Sequence, residues 1–306
     1  FLFKTRKALF DSGVFSSDKP EVPVIVVGNL NVGGTGKTPL TLYLANALSK
    51  AGKKVGIATR GYKGKKSNSM PYILDETSDA QDYGDEAVYL SRHSNAIVCV
   101  CSQRLKAANL LFERGVDVIL SDDGLQHFAL KRDLELVVVS SDRAFGNRRL
   151  LPAGPLREGL DRLDTIDLIC LNGKKIDEDL HLENTIGFEI ENKTAKNIHN
   201  GQIRSIDAFI NHDVNLIAGI GDPNVLIQKL IKLGININHI KVADHAAIDS
   251  SEIKNLQGTS LFLTPKDLVK YSKDDLPKET WELIPEMMID QSQEQSMMNK
   301  IFEIIQ

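Results

Sequence analysis

Val22-Pro-Val-Ile-Val-Val-Gly-Asn-Leu-Asn-Val-Gly-Gly-Thr-Gly-Lys-Thr38 is an apolar run that passes through a glycine-rich turn into a lysine–threonine pair. The nearly continuous apolar stretch Val22–Gly28 predicts a parallel strand buried on both faces. Thr38 to Lys50 follows with Leu40, Leu44, Ala47 and Leu48 at helical spacing. A strand that runs through glycines into a helix is the context of a phosphate-binding loop. The glycines let backbone N–H groups turn inward, and the helix N-terminus adds partial positive charge. Gly33, Gly34, Thr35 and Gly36 are expected to cradle the phosphates of a nucleoside triphosphate. Lys37 is expected to reach the β- and γ-phosphates, and Thr38 to offer its hydroxyl to Mg²⁺. Asn31 stands where the strict pattern has a glycine, a substitution that asparagine's tolerance of unusual backbone angles makes acceptable.

Outward from this loop, strands and helices alternate. Lys54–Thr59, Ala96–Cys101, Asp117–Ser121, Leu134–Ser140 and Ile166–Leu171 read as further strands, with a helix over Gln103–Arg114. That alternation predicts an α/β fold, a P-loop NTPase-like parallel sheet flanked by helices, with right-handed crossovers. Residues 1–175 form the expected P-loop nucleotide-binding domain, and 176–213 a polar linker with short strands. Residues 214–306 form a second, smaller α/β domain: strands at Leu216–Ile220, Ile237–Ala243 and Ser260–Thr264, a helix over Pro223–Leu233, and a closing helix over Glu294–Ile305 that packs back on the first domain.

The second chemical signal is Val116-Asp-Val-Ile-Leu-Ser-Asp-Asp-Gly-Leu-Gln-His127. An apolar strand that ends in acid at the carboxyl edge of the sheet is where a phosphoryl-transfer site places its magnesium-associated carboxylate, so Asp122 and Asp123 are the metal candidates. Asp-Asp-Gly is also good turn chemistry. Leu151-Pro-Ala-Gly-Pro-Leu-Arg-Glu-Gly159 joins rigid turn residues to an Arg157–Glu158 pair. Val32 before Gly33 lacks the signature lysine of partitioning ATPases. Asn172-Gly-Lys-Lys-Ile-Asp177 only approximates the guanine-reading Asn-Lys-x-Asp. ATP is therefore favoured over GTP.

Composition narrows the field. The net charge of −4 gives no basic footprint for nucleic acid. Three cysteines, Cys99, Cys101 and Cys170, argue against a disulfide framework and for a reducing compartment; Cys99 and Cys101 are expected on one core-facing strand side. No stretch reaches the ~18–20 apolar residues of a membrane span. Phe1 stands where a natural start would have Met, so the natural N-terminus is expected to extend further. Residues 1–10 mix bulky apolar and basic side chains, compatible with an interfacial helix or a core-docked one.

Several motifs occur in order: Val-Gly-Gly-Thr-Gly-Lys-Thr-Pro39, Arg60-Gly-Tyr62, Gly84-Asp-Glu86, Ser121-Asp-Asp-Gly-Leu-Gln-His127, Phe145-Gly146 with Leu151–Glu158, and Ala243-Asp-His245. Together they resemble tetraacyldisaccharide 4′-kinase, the lipid A 4′-kinase of Gram-negative bacteria, from about residue 20 to 270. The resemblance implies ATP- and Mg²⁺-dependent phosphorylation of the 4′-hydroxyl of a tetraacylated glucosamine disaccharide 1-phosphate. It also implies a peripheral enzyme on the cytoplasmic face of the inner membrane, attached through its N-terminal segment, with no obligate protein partner. By position, Asp85 and His245 match a catalytic pair acting with Lys37. Arg104, Arg157 and Glu158 match nucleotide contacts, and His127, Asn29 and Tyr62 substrate contacts. Pro265 in Thr264-Pro-Lys-Asp267 departs from the family pattern, where glutamate is common. The alternative from another class is a P-loop switch or metallochaperone that acts on a protein partner. It accounts for the loop and the acidic pair but not for Leu151–Glu158 or the Asp–His islands.

Overall fold

The structure is a computed structural model that describes residues 2–66, 69–173, 184–242, 248–254, 256 and 258–305. The first half contains α1 (Leu2–Asp11), β1 (Val24–Gly28), α2 (Lys37–Lys50), β2 (Val55–Thr59), β3 (Tyr72–Ile73), α3 (Ala80–Tyr83), α4 (Asp85–His93), β4 (Ile97–Val100) and α5 (Arg104–Glu113). Then come β5 (Val118–Asp122), β6 (Leu134–Ser140), β7 (Leu168–Asn172), β8 (Thr185–Asn197) and β9 (Ile203–Ser205). The rest holds β10 (Asp213–Ile217), α6 (Pro223–Lys232), β11 (Asn236–Ile240), α7 (Ser250–Lys254), β12 (Ser260–Leu263), α8 (Pro265–Leu268), β13 (Thr280–Ile289) and α9 (Gln291–Ile305).

Among the described residues the strands join one large, mostly parallel sheet in the order β11-β10-β12-β13-β8-β7-β6-β1-β5-β2-β4-β3, with β9 on the side of β8. Strand β1 explains the predicted apolar run. Val24 and Val26 point into one core with Ala107, Leu111 and Val137; Ile25 and Val27 point into the other with Leu40, Leu44 and Leu136. Both faces are covered by helices, so every residue of β1 is buried. Helix α9 returns to this half, where Met297, Ile301 and Ile305 join the same core as α2. The three cysteines are free and buried. Cys99 and Cys101 share one face and the same core, as their alternation predicted.

Two long strands were not legible. The stretch read as a linker with short strands contains the 13-residue β8. Its start pairs parallel with β7, and most of its length pairs antiparallel with β13. Ile186, Phe188 and Ile190 alternate with polar residues or glycine at the start of β8, but the polar run Asn192, Lys193 and Thr194 breaks the alternation, so the sequence marks only a short strand there. β13 was hidden by Pro285, which falls at an irregularity in the β8 pairing, where the missing N–H does least harm. The β8–β13 ribbon joins the first half of the sheet to β10–β12. The expected strand end at Ala243 lies outside the described residues.

Candidate active site

Strand β1 sits between β6 and β5, and its carboxyl end opens into the glycine-rich loop. Gly33 (φ 105°) and Gly36 (φ 100°) use left-handed backbone that an L side chain resists. Gly36 caps α2, and Lys37 is its first residue. Asn29 was read as a substrate contact. It is fully buried instead, and its Nδ2 donates to the Gly33 carbonyl (3.3 Å) and to Thr35 Oγ1 (3.2 Å), bracing the loop from inside. Asn172, the near-match to a guanine reader, serves the same loop: its Nδ2 donates to the Thr35 carbonyl at 3.1 Å. Asn31 takes no left-handed backbone. Its Nδ2 donates to the Ala144 carbonyl at 2.5 Å, and its backbone bridges Leu156.

The register of β1 against β5 sets Val27 beside Asp122, which brings the acidic pair next to the loop. Asp122 is 1% exposed. Its Oδ1 accepts from Thr41 Oγ1 (2.9 Å), and its Oδ2 faces Thr38 Oγ1 at 3.5 Å. Burial pushes its carboxyl up to about 7, with Glu86 and Asp123 adding and Lys37 opposing. Asp123 has a different neighbourhood. It holds left-handed backbone (φ 48°), a strained state that asparagine and aspartate tolerate best. Its carboxylate meets Lys37 Nζ at 3.5 Å and accepts from Arg157 Nη1 at 3.1 and 3.2 Å. Burial raises its pKa, but the two cations outweigh burial and hold it below the usual carboxylate range.

The Leu151–Glu158 segment lies along the loop. Val32 N donates to the Pro155 carbonyl (2.9 Å), and Arg157 N to the Leu30 carbonyl (2.6 Å). Gln126 ties the parts together: it donates to the Asn29 carbonyl (3.2 Å) and to Glu158 Oε1 (2.8 Å), and it accepts from Arg157 (3.1 Å). Burial raises the Glu158 pKa. Arg104, 2% exposed, donates to the carbonyls of Cys101 (2.8 Å) and Asp122 (3.2 Å), so it braces the end of β5 from behind. His127 is held down to about 3 by burial and by Arg104 and Arg60, so its ring is neutral at ordinary pH.

Asp85 opens α4 with 5% exposure, and its Oδ1 accepts from Glu86 N at 2.8 Å. Lys270 Nζ stands 3.7 Å and Lys266 Nζ 4.0 Å from Asp85 Oδ2. The Gly61–Tyr62 backbone presses on Gly84, which places the half-exposed Tyr62 beside the start of α4. Pro265, the departure noted above, is the first residue of α8 behind the Thr264 cap, where a missing N–H costs nothing. His245 lies outside the described residues.

Sequence reading missed the approach of the C-terminal half to the loop. A Cβ on Gly221 would sit 2.5 Å from Gly34 Cα. Arg143 clamps the contact by donating to the Gly221 carbonyl (2.7 Å) and pairing with Asp222 (3.1 Å). No local pattern marks such a contact, since it joins residues far apart in the sequence. Gly221→Ala is expected to cost about 1–3 kcal/mol of stability through overpacking and to raise the KM for ATP. Denaturant unfolding and steady-state kinetics check both, and a variant with wild-type values in each shows the contact to be loose.

A sequence model of the family described as LpxK, tetraacyldisaccharide-1-P 4′-kinase, matches residues 1–303. The tetraacyldisaccharide 4′-kinase of Aliivibrio fischeri (strain ATCC 700601 / ES114) is 38% identical over 312 residues, covering 99% of this chain and 92% of the relative. That of Vibrio cholerae serotype O1 (El Tor Inaba N16961) is 36% identical over 306 residues, covering 99% and 88%. The crystal structure of LpxK from Aquifex aeolicus, described as an "apo" form in complex with ATP, matches at a TM-score of 0.81 and 28% identity, over 100% of this chain and 95% of that one. With a phosphate loop, an acidic strand end and a match over nearly its whole length, this chain belongs to the tetraacyldisaccharide-1-P 4′-kinase family.

Proposed function

We infer that the chain is an ATP-dependent kinase that phosphorylates the 4′-hydroxyl of a tetraacylated glucosamine disaccharide 1-phosphate, a lipid A precursor. The observation that carries this reading is the convergence of Lys37, Thr38, Asp122, Asp123 and Arg157 at the carboxyl ends of β1 and β5 in a chain of this family. The backbone N–H groups of Gly33–Gly36 and the start of α2 receive the ATP phosphates. Lys37 and Arg157 supply the cationic charge, and the bound phosphate takes over from Asp123 as their partner. Thr38 and Asp122 would hold Mg²⁺. One hydroxyl and one buried carboxylate, set 3.5 Å apart, suit an ion that takes its remaining ligands from phosphate oxygens and water. When bound, magnesium neutralises charge on the β- and γ-phosphates.

On the acceptor side, Asp85 takes the proton of the sugar hydroxyl, with His245 as its partner. Tyr62 and the neutral ring of His127 contact the substrate. The part that carries the phosphate loop and the part that carries β10–β12 are joined through the β8–β13 ribbon, and flexing at that ribbon lets them close over the bound substrates.

The enzyme works at the cytoplasmic face of the inner membrane, bound peripherally through its N-terminal segment. Phe10 packs on Phe15 (5.3 Å) and Phe128 (6.0 Å), while Val14 is 67% and Phe15 45% exposed, which supports an apolar landing surface. No helix among the described residues is long and apolar enough to cross a membrane. Deleting residues 1–15 is expected to lower vesicle co-sedimentation and activity on lipid in vesicles together; retention of both sinks the anchor.

The reading as a whole predicts that ATP turnover depends on an added acylated disaccharide. Turnover that ignores the sugar and responds to a protein would favour the switch reading.

A further inference from the structure

The acceptor base is braced by a lysine arm from the other half of the sheet. Lys270 is a nearly buried ammonium, with 6% of its side chain exposed, and such a charge persists inside a protein only when it is paired. Its Nζ donates to Asp267 Oδ1 at 2.7 Å. Asp267 is itself fixed, because its Oδ2 accepts from Gly219 N (2.8 Å) and from Thr264 Oγ1 (2.6 Å). The arm therefore rests on the ends of β10 and β12. It delivers its positive charge 3.7 Å from Asp85 Oδ2, across from the phosphate loop's half of the sheet. Lys266 runs parallel to it, 3.2 Å from Glu86 Oε1 and 4.0 Å from Asp85 Oδ2.

We propose that Lys270, carried by Asp267, is a positioning residue for the reaction: it holds the Asp85 carboxylate in orientation and in its charged form, and Lys266 does the same more weakly by restraining Glu86. The proposal rests on the reading of Asp85 as the base. An ammonium this close favours the proton-accepting form of a carboxylate. Glu86, on the same helix, carries the opposite influence and is neutralised by Lys266. Because the cations and the carboxylate come from different halves of the sheet, the base is complete only when the two halves are together.

The test uses the full chain with ATP, Mg²⁺ and the tetraacylated disaccharide 1-phosphate in mixed micelles. Lys270→Met is expected to lower kcat about 10- to 100-fold, the scale of a misplaced catalytic group, with the KM for ATP unchanged. Lys270→Arg should restore most of the loss. In an Asp85→Asn background, Lys270→Met should cost nothing more, because its effect passes through Asp85. A wild-type kcat in Lys270→Met overturns the proposal, and so does a full additional loss in the Asp85→Asn background. If Lys270→Met does not fold, the more exposed Lys266→Met carries the same comparison with a smaller expected loss, and a wild-type kcat there overturns the role of Lys266. The two readings fail separately. An active Asp85→Asn removes the base itself, whereas an inactive Asp85→Asn beside a fully active Lys270→Met removes only the arm.

Discussion

Lys37→Met is expected to cut phosphoryl transfer by about 10²–10³-fold or more, the cost of removing one preorganised donor to developing charge. The side chain is only 12% exposed and already aimed at an anion, the Asp123 carboxylate, 3.5 Å away. Asp123 is shared with Arg157, so two cations and one carboxylate leave a site biased toward negative charge. ATP binding exchanges the carboxylate for phosphate oxygens, and Lys37 follows the charge that grows on them. The variant should therefore lose kcat at saturating ATP and also bind ATP more weakly. Removing Lys37 leaves Asp123 with Arg157 alone, and a modest loss of stability is expected with it. Quenched-flow turnover and calorimetric ATP titration measure the two effects. A variant within a few-fold of wild type in both would mean that the loop holds something other than a triphosphate.

Asp85→Asn carries the second large effect. The substitution keeps the shape of a residue that is 5% exposed and removes its capacity to take a proton, together with the charge that faces Lys270 and Lys266. Loss of a general base costs about 10²–10⁴-fold in rate. ATP binding should be unchanged, because no contact of the phosphate loop described above passes through Asp85. The expected pattern is thus the converse of Lys37→Met: a fall in kcat with an intact nucleotide affinity. Near-normal turnover would transfer the proton to another acceptor.

The first half of the fold was legible because its signals are local. The apolar run of β1, the glycines before Lys37 and the acid at the end of β5 each carry their meaning within a few residues, and the sheet brings them together at neighbouring strand ends. The β8–β13 ribbon was not legible. The apolar alternation of β8 breaks off at Asn192, Lys193 and Thr194, and Pro285 interrupts β13, so each carries only a short stretch of strand pattern. Read from its own neighbours, Asp85 is only a polar residue beside Glu86, and its expected role came from the family resemblance. That it opens α4 follows from the burial of Ala87, Val88 and Leu90 against the sheet, a tertiary fact.

Roles inside the site divide in the same way. Asn29 and Arg104 were expected at the ligand; the Asn29 amide nitrogen is spent on the Gly33 carbonyl and Thr35, and the Arg104 terminal nitrogens on two carbonyls, while Asn29 Oδ1 and Arg104 Nε stay buried without a hydrogen-bond partner. The reverse holds for Lys270, Lys266 and Gly221. Each looks ordinary in sequence and gains its meaning from residues far along the chain: Asp85 and Glu86 for the lysines, Gly34 for the glycine. Asn172 shows both effects at once, since a residue read as a failed guanine contact turns out to hold the phosphate loop closed at Thr35.

The central claim is the transfer of the γ-phosphate of ATP to the 4′-hydroxyl of the acylated disaccharide, and the most direct measurement follows that phosphate. The protein is incubated with γ-labelled ATP, Mg²⁺ and tetraacyl disaccharide 1-phosphate in mixed micelles, and the lipid is extracted. The account predicts labelled lipid that carries the new phosphate at the 4′ position and disappears with Lys37→Met. ATP that is bound and slowly hydrolysed, with the label recovered only as inorganic phosphate, would contradict it.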